Sequence, residues 1–474
     1  MPSSPASRSV PSTSDQTIPD RMSREELKAT FSLSSLFVLR MLGLFFILPV
    51  FSVHARQMAG GGNQTLVGIA LGAYGLTQAF LQIPFGMGSD RYGRKRTIVA
   101  GLALFALGSF VAAAGSANHI WVVIIGRALQ GAGAISAAVI AFAADLTREQ
   151  HRTKAMAVIG GSVGLTFALS LVAAPPLYQY IGMAGIFVFT GLLSLAGIWA
   201  TLAIVPAEPA SIVDATRRVE TSRLGAVLRN PQLLRLNLGI FSLHTVQMAM
   251  FVVVPVALVR SGLELGKHWH VYLPVVLASF VLMLPPIFMA ERRGRMKAMF
   301  IASIVLMVLV QLGFALWGEG ILNIAGLMLA FFVAFNVLEA SLPSLVTRIA
   351  PAGARGTAIG VYNTTQSLGL FAGGLCGGLL SQHFGAAAVF VFGAALVALW
   401  FLVALGMRVP GDILTRRFKL AATGDLASLR ERLVRLRGVR DAMLLPEQGA
   451  ALLTFYSERW DEQAAMDLLE GRVG

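Results

Sequence analysis

Runs of about twenty mostly apolar residues recur along almost the whole chain and limit its fold more than any other feature. A helix needs roughly 20 apolar residues to cross a bilayer, because backbone polar groups in hydrocarbon must pair within the segment. The predicted spans are 31–54, 65–88, 97–115, 120–145, 154–179, 184–206, 233–260, 269–290, 298–317, 321–347, 355–382 and 386–408. The pattern predicts an all-α membrane protein with twelve transmembrane helices in two six-helix halves.

The charged residues support this interpretation by their scarcity and their placement. Only 13% of residues are charged, whereas soluble domains carry about 25%. Lys and Arg cluster in alternate loops such as 91–96 and 292–297, while the opposite loops hold only Arg56, Arg260 and Lys267. By the positive-inside rule, the basic loops and both termini are cytoplasmic. The basic residues therefore line a lipid bilayer, and a nucleic-acid partner is not expected.

The composition also divides the chain into segments. Residues 1–30 are predicted to be a disordered tail, 31–206 and 233–408 the two halves, and 207–232 a cytoplasmic linker. Residues 413–474 are predicted to form a small soluble domain in the order strand–helix–strand–strand–helix, with a turn at 446–449. That order predicts an α+β, ferredoxin-like module. Because the chain's single cysteine, Cys376, lies elsewhere, we expect a regulatory or docking role there rather than metal binding.

Two loops repeat one another. The segment 90–96 reads DRYGRKR, and 291–297 reads ERRGRMK, at an offset of 201 residues. An acidic residue, an Arg, a Gly and further basic residues recur in the same order, so we expect the halves to share one fold. This architecture places a substrate cavity between the halves near the membrane midplane and predicts a rocking motion.

The first of these loops has its own chemistry. Gly86 and Gly93 allow a sharp turn between helices, where a side chain would obstruct close approach. Asp90 can accept hydrogen bonds at the start of the next helix. The guanidinium of Arg94 can bridge to a carboxylate on another helix. Arg91 adds a further positive charge beside them.

The loop GMGSDRYGRKR at 86–96 resembles the signature loop of the major facilitator superfamily. The segment GRALQGAGAISAA at 126–138 resembles the Arg-and-Gly motif of its drug–proton antiporters. Span five departs from the antiporter pattern, since Ala174-Pro175 stands where a Gly-Pro pair is typical. The resemblance implies a secondary transporter of the bacterial inner membrane, with a small-molecule substrate, protons as the coupling ion and no other cofactor. We expect it to act as a monomer.

The resemblance also implies a conformational latch. In similar proteins the loop Arg pairs with an Asp at the end of span four, which here would join Arg94 to Asp145 and Asp90. The expected latch comprises Gly86, Asp90, Arg91, Gly93, Arg94 and Asp145. We expect it to hold the halves together in the outward-open state; the alternative for Asp145 is a solvated carboxylate at a helix end.

Very few charges fall at membrane depth, where they are costly and usually face a cavity or a partner. Glu339 in span ten is the first candidate for a proton carrier, or for the counter-charge to a cationic substrate. His244 in span seven is the second, because imidazole ordinarily titrates near physiological pH. Arg127 in span four is expected to direct proton movement through its field. Each of them could instead serve as a structural ion pair or packing residue.

Polar side chains on other spans are candidates to line the same cavity. Arg40 is expected to bind an anionic group or to hold Glu339. The remaining candidates are Gln78, Gln82, Gln247, Asn336, Asn363 and Gln366. Gln78 and Gln82 are four residues apart and share a helix face. Such residues also join membrane helices to one another, which is the alternative role for each.

Three functions remain open at this point. The first is a proton-coupled exporter of small drug-like compounds, and the second is a proton-coupled transporter of one specific metabolite. The third is a non-transporting membrane sensor that acts through the C-terminal domain. An enzyme is not expected, because the sequence contains no nucleophile–base pair, nucleotide-binding loop or metal cluster.

Overall fold

The computed structural model describes residues 22–208, 221–293, 295–350, 354–407, 413–420, 426–445, 450–456 and 460–470. The helices that precede the predicted linker are α1 (Arg24–Phe45), α2 (Phe51–His54), α3 (Gln64–Tyr92), α4 (Arg94–Gly115), α5 (Ile120–Ala132), α6 (Ser136–Asp145) and α7 (Glu149–Ala203). Those that follow residue 220 are α8 (Thr221–Leu228), α9 (Pro231–Arg260), α10 (Trp269–Arg292), α11 (Met296–Trp317), α12 (Ile321–Ile349), α13 (Arg355–Phe384) and α14 (Ala386–Leu405).

Ten stretches of the described helices are long and apolar enough to cross a membrane. One of them, Lys154–Ala203, runs through predicted spans five and six. Its helix α7 bends at Gly182, whose φ of 65° interrupts the helical backbone. Helix α13 occupies predicted span eleven but is not among the ten. The chain is thus a multi-pass, mostly helical membrane protein, and the number twelve stays a prediction.

Local signals in the sequence explain where several helices begin. Asn63 and Asn230 cap α3 and α9, and each side-chain oxygen accepts hydrogen bonds from two amide N–H groups of its helix. Ser23 and Glu26 form a reciprocal capping box at the start of α1. These side chains satisfy backbone donors that a helix start leaves free.

Two predicted segment boundaries differ from the structure. The tail predicted over 1–30 includes the first turns of α1, because the capping box starts that helix at Arg24; residues 1–21 lie outside the described part. The linker predicted over 207–232 contains α8 and the start of α9, and residues 209–220 also lie outside the described part.

Span four is broken rather than continuous. It consists of α5 and α6, separated by residues 133–135. A Cβ on Gly133 would lie 2.3 Å from the carbonyl oxygen of Gly101 in α4. The close approach of these two backbones requires glycine, and it places the interruption in the middle of the span.

Helices α3 and α13 bring the two halves into backbone contact near one end. A Cβ on Gly68 would lie 2.0 Å from the carbonyl oxygen of Gly374, and one on Gly378 would lie 2.4 Å from that of Gln64. The amide of Gln64 also donates to Gln382 Oε1 at 2.7 Å. We call this contact, between residues 64–75 of α3 and 367–382 of α13, the glycine seam.

The halves do not meet in this way at the end that carries the basic loops, which we call the basic end. The nearest atom to a Cβ on Gly88 belongs to Tyr92 of the same helix, at 3.9 Å. A Cβ on Gly356 or Gly360 of α13, or on Gly164 of α7, would have no described atom within 4 Å. Among the described glycines, close backbone contact between the halves is therefore found at the seam and not at the basic end.

The C-terminal segment has a small core of its own. Strands β1 (Ile413–Lys419), β2 (Val439–Leu445) and β3 (Ala450–Tyr456) form an antiparallel sheet in the order β1-β3-β2, with α15 (Leu426–Arg435) and α16 (Glu462–Leu469). Leu433, Leu453 and Phe455 are buried among them. The strand and helix order is the predicted one, and the ferredoxin-like assignment stays a prediction. The turn predicted at 446–449 lies outside the described residues.

Candidate functional site

The predicted latch residues come together at the basic end. Arg94 Nε donates to Asp145 Oδ2 at 2.9 Å, and Arg94 Nη1 donates to Ser89 Oγ at 2.6 Å and to Asp90. The Arg94 side chain is only 8% exposed. Two carboxylates compensate its charge, so the turn from α3 to α4 is fixed against the end of α6. Asp145 is therefore an ion-pair partner of Arg94, as the sequence predicts.

Gly93 allows this turn, and Glu208 places a further carboxylate beside it. It adopts a φ of 100°, which side chains other than glycine rarely tolerate. The Lys95 amide donates to Glu208 Oε1 at 2.6 Å, and Lys95 Nζ donates to the carbonyl oxygen of Val205 at 2.6 Å. The segment after α7 is thus tied to the N-terminus of α4. A glutamate in this role was not predicted.

A second ion pair at the basic end was also missed. Glu26 accepts from Arg148 Nε and Nη2, and from the Arg148 amide, each at 2.9 Å. This hydrogen-bonded carboxylate raises the pKa of Arg148 above its ordinary value. The signal in the sequence was the Ser23-x-x-Glu26 capping box, which places Glu26 inside a helix rather than in a tail.

The geometry differs from the expected latch in what it joins. The described partners of Arg94 lie on α3 and α6, and those of Lys95 lie at the end of α7. All of them belong to the N-terminal half except Glu208, which lies at the start of the predicted linker. A Cβ on Gly86 would lie 3.5 Å from that of Ala137 in the same half. In the present conformation the cluster braces one half internally, and the halves are held together at the glycine seam instead. The guanidinium group of Arg91 makes a cation–π contact with the ring of Tyr92.

Glu339 and His244 lie together in the C-terminal half. Glu339 Oε2 is 3.9 Å from His244 Nε2. This oxygen is buried and has no hydrogen-bond partner among the described residues, although a third of the Glu339 side chain is exposed. Gln366 Nε2 donates to His244 Nε2 at 2.7 Å, and His244 Nδ1 lies 3.3 Å from the carbonyl oxygen of Ile240. These contacts assign the neutral imidazole tautomer with its hydrogen on Nδ1.

Three other polar side chains each lie about one helical turn from a residue of this group. Tyr362 lies one turn before Gln366 on α13 and is buried, with a hydroxyl that has no hydrogen-bond partner in the described chain. Asn336 Nδ2 donates to Ser279 Oγ of α10 at 3.1 Å. Gln247 is buried one turn after His244 on α9. Tyr362 was not among the predicted residues, although a tyrosine four residues before a buried glutamine on an apolar helix is a usable signal.

Arg40, predicted to line the cavity, and Arg127, predicted to direct proton movement, lie in a separate group in the N-terminal half. Arg40 Nη1 donates to Ser136 Oγ at 2.7 Å, and Arg127 Nη1 donates to Gln130 Oε1 at 2.8 Å. Both guanidinium groups lie against Tyr74, at 5.5 and 5.0 Å from its ring centroid. Glu339 lies near His244, at 3.9 Å between Glu339 Oε2 and His244 Nε2, and the described contacts of Arg40 are with Ser136 and Tyr74, so the expected Arg40–Glu339 contact is not the one found.

Gln78 and Gln82 continue this polar group along α3 toward the basic end, and both are buried. Asn363 lies next to Tyr362 on α13, where its carbonyl oxygen accepts from Ser367. The structure thus divides the predicted cavity residues between two groups, one in each half.

An aromatic cluster connects the halves between these groups. The ring of Phe167 on α7 lies 5.1 Å from that of Phe45 in the same half, centroid to centroid. It also lies 6.2 Å from Phe251, 5.8 Å from Phe332 and 6.3 Å from Phe335 of the other half. Phe335 is in edge contact with His244 at 5.7 Å. The polar group of the C-terminal half therefore borders an apolar, aromatic wall.

A small cavity of about 130 Å³ lies beside the glycine seam, lined by Gln64, Ser381 and the two arginines Arg56 and Arg260 among others. Burial, together with the neighbouring positive charge of Arg260, lowers the pKa of Arg56. This cavity is at the opposite end from the basic loops.

A comparison with protein families decides what kind of molecule this is. The model of the Major Facilitator Superfamily matches residues 33–369, and a second match covers 275–456. The chain belongs to the major facilitator superfamily. Members of this superfamily are generally transporters rather than enzymes, and the two-half helical fold described above agrees with this membership.

Relatives within the superfamily are found over most of the chain. The inner membrane transport protein YajR of Escherichia coli (strain K12) is 41% identical over 442 residues, which is 92% of this chain and 96% of the relative. The multidrug resistance protein MdtH of Photorhabdus laumondii is 28% identical over 350 residues, 72% of this chain and 82% of that protein.

Solved structures of superfamily members share the fold. The human organic anion transporter MFSD10 (TETRAN) is similar with a TM-score of 0.61 and 18% identity, over 80% of this chain and 99% of its own. The D-xylose-proton symporter is similar with a TM-score of 0.64 and 14% identity, over 81% of this chain and 98% of its own. At such identities the similarity concerns the fold alone.

Proposed function

We propose that this protein is a proton-coupled transporter that exports small lipophilic compounds from the bacterial cell. In this proposal it acts as a monomer in the inner membrane and uses protons as its coupling ion, without another cofactor. The observation that carries the proposal is the pair of Glu339 and His244 within an apolar bundle. One carboxylate oxygen there is buried and unpartnered, while part of the side chain remains accessible.

The geometry of this pair supports proton exchange. A neutral His244 accepts from Gln366 and leaves Glu339 without a donor. A proton bound to Glu339 neutralises its charge. An ionised Glu339 instead requires a cation beside it, either a protonated His244 or a cationic substrate. A proton and a cationic compound therefore compete for the same carboxylate, and such competition couples their movement in opposite directions.

The aromatic wall supports a lipophilic substrate. The ring of Phe167 lies within 6.3 Å of the rings of Phe251, Phe332 and Phe335, centroid to centroid. Phe335 in turn contacts His244. Aromatic rings provide large apolar contact area and attract cations at their faces. The multidrug resistance function named for the MdtH relative supports the same substrate class.

Alternating access in this proposal follows from the two ends of the bundle. We take the basic end as cytoplasmic by the positive-inside rule, which also places both termini inside. The present conformation is then inward-open, because the glycine seam closes the outer end. Opening the seam and closing the basic end would expose Glu339 to the other side of the membrane.

The decisive experiment measures proton release from acid-loaded, inside-out membrane vesicles with a fluorescent pH-gradient dye. A panel of lipophilic cations and neutral metabolites is added to vesicles that contain wild type, Glu339→Gln or Glu319→Gln. Glu319 is an exposed carboxylate just before α12 and is the matched control. We expect one or more lipophilic cations to collapse the gradient with wild type and with Glu319→Gln, and a loss of at least tenfold in rate with Glu339→Gln.

Two results would contradict the proposal. If no compound in the panel collapses the gradient with wild type, proton antiport loses its support. If a compound collapses it equally well with Glu339→Gln, transport is coupled through another group. A response restricted to one metabolite would favour a specific metabolite transporter over a drug exporter.

A further inference from the structure

Two buried arginines share one tyrosine in the N-terminal half. Arg40 of α1 is 1% exposed and Arg127 of α5 is fully buried. Both guanidinium carbons lie within 5.5 Å of the centroid of the Tyr74 ring. Tyr74 is itself fully buried on α3. Two positive charges are thus confined to one small region of an apolar bundle.

The partners that the structure gives these arginines are all neutral. Arg40 donates to Ser136 Oγ, and Arg127 donates to Gln130 Oε1 and, at 3.5 Å, to the carbonyl oxygen of Leu71. In the described part of the chain, neither arginine forms an ion pair. Arg94 at the basic end, by contrast, contacts two carboxylates.

Several hydrogen-bond donors around Tyr74 remain unused. Arg40 Nε and Nη2, Arg127 Nε and the Tyr74 hydroxyl are buried without a hydrogen-bond partner among the described residues. A buried charge without an opposite charge costs several kcal/mol, so buried charged groups are normally paired. Inside a membrane the cost is not relieved by water. The unused donors and the uncompensated charge point to the same missing component, which is an anion.

We propose that the group formed by Arg40, Arg127 and Tyr74 is a binding site for a small anion. The ligand is a single compact anionic group, either a free halide or the carboxylate of a transported compound. Guanidinium N–H groups and a phenolic hydroxyl are suitable donors for both. The enclosed position favours a small ligand over a bulky one.

A polar path leads from this site toward the basic end. Tyr74, Gln78 and Gln82 are spaced at four-residue intervals and lie on one face of α3. Gln78 Oε1 and both amide atoms of Gln82 are buried and have no hydrogen-bond partner in the described chain. Gly86 and Gly88 continue the helix to the basic end. Unsatisfied polar groups, rather than a purely apolar face, therefore lie on α3 between the site and the basic end, and the Gln82 amide N–H groups among them are further donors for an anion.

This site is independent of the proposed proton exchange. Its residues belong to α1, α3 and α5, whereas Glu339, His244 and Gln366 belong to α12, α9 and α13. Its test measures binding to the purified protein and needs no transport. Failure of one proposal therefore leaves the other standing.

The experiment measures the melting temperature, Tm, of the full-length purified protein in detergent by intrinsic fluorescence. Chloride, bromide and acetate are titrated against gluconate, a bulky anion, at constant ionic strength and pH. Wild type is compared with Arg40→Gln, Arg127→Gln and Arg293→Gln, the last being an exposed control at the end of the α10 segment. Because a ligand that binds only the folded protein stabilises it, we expect a saturable rise in Tm of about 2–5 °C for wild type and the control. Arg40→Gln and Arg127→Gln should lose it.

The salts that raise Tm distinguish the two possible sources of the anion. Saturation by chloride and bromide indicates a free halide, whereas saturation only by small carboxylates indicates a substrate group. Absence of a saturable, anion-specific rise in wild type would overturn the proposal, as would an equal rise in Arg40→Gln and Arg127→Gln. If a glutamine variant does not fold, Arg40→Lys and Arg127→Lys replace it. They retain the charge but lose the guanidinium fork, and we expect at least tenfold weaker half-saturation.

Discussion

The glycine seam allows a sharp prediction, because two backbones meet there without side chains between them. Gly68→Ala would place a Cβ 2.0 Å from the carbonyl oxygen of Gly374, where ordinary contact begins near 3.4 Å. The obstructing atom is backbone and cannot rotate away, so α3 and α13 must separate by more than an ångström. Overpacking of this kind costs about 1–3 kcal/mol, which lowers the equilibrium constant for closing the seam by roughly 5–150-fold.

Cross-linking at the same end measures this closure directly. Gln64 and Gln382, which are hydrogen-bonded across the seam, are replaced by cysteine in a Cys376→Ser background. We expect rapid cross-linking by a short bifunctional thiol reagent in the parent protein and at least fivefold slower cross-linking when Gly68→Ala is added.

The control is Gly88→Ala, which adds the same methyl group to the same helix at a position where the nearest atom, on Tyr92, would lie at an ordinary contact distance of 3.9 Å. It should leave the cross-linking rate unchanged. If Gly68→Ala cross-links as fast as Gly88→Ala, the seam is not the contact that closes this end of the bundle.

Two ion pairs at the basic end give further predictions. Each is tested by measuring the Tm of the full-length protein. The control is Glu264→Gln, which removes only the exposed pair of Glu264 with Lys267, and such pairs contribute little to stability. Asp145→Asn leaves the 8% exposed Arg94 with one carboxylate fewer and should destabilise the bundle by about 1–3 kcal/mol. An Asp145→Asn protein that melts like the Glu264→Gln control would contradict the structural role of that pair. Glu26→Gln removes the carboxylate from three hydrogen bonds with Arg148 and should lower Tm and speed proteolysis near the start of α1. Unchanged proteolysis there would refute the idea that Glu26 fixes this helix.

The helices could be predicted from the sequence where a strong physical requirement acts on a long segment. Apolar runs mark the spans because a bilayer imposes both length and composition. The break at 133–135 within span four could not be predicted in this way. It depends on the approach of α4, which leaves no trace in the local sequence beyond glycines that membrane helices tolerate.

The candidate site was predicted in its residues but only partly in its pairing. Glu339 and His244 were found because ionisable side chains are rare at membrane depth. Which partner each one takes depends on helix rotation and packing between distant segments. For this reason Arg40 was expected near Glu339, whereas it lies with Arg127 against Tyr74. Tyr362 was missed since a single tyrosine on a transmembrane helix is common in lipid-facing positions.

The segment boundaries show the limits of composition as a guide. Glu26 lies next to a Ser- and Pro-rich stretch and was assigned to the tail on that basis. Its capping box with Ser23 is a local, four-residue feature that outweighs the average composition around it.

The glycine seam also bears on how well this membrane holds its ion gradients. A transporter that couples protons must not let them pass when no substrate moves, and any chain of water molecules between the halves would conduct them. Backbone packed directly on backbone, as between Gly68 and Gly374, leaves no room for such a chain. No residue is smaller than glycine, so any substitution of Gly68 or Gly374 forces these two backbones apart. We therefore expect such variants to leak protons in the absence of substrate, at a cost to the gradient that the whole cell shares.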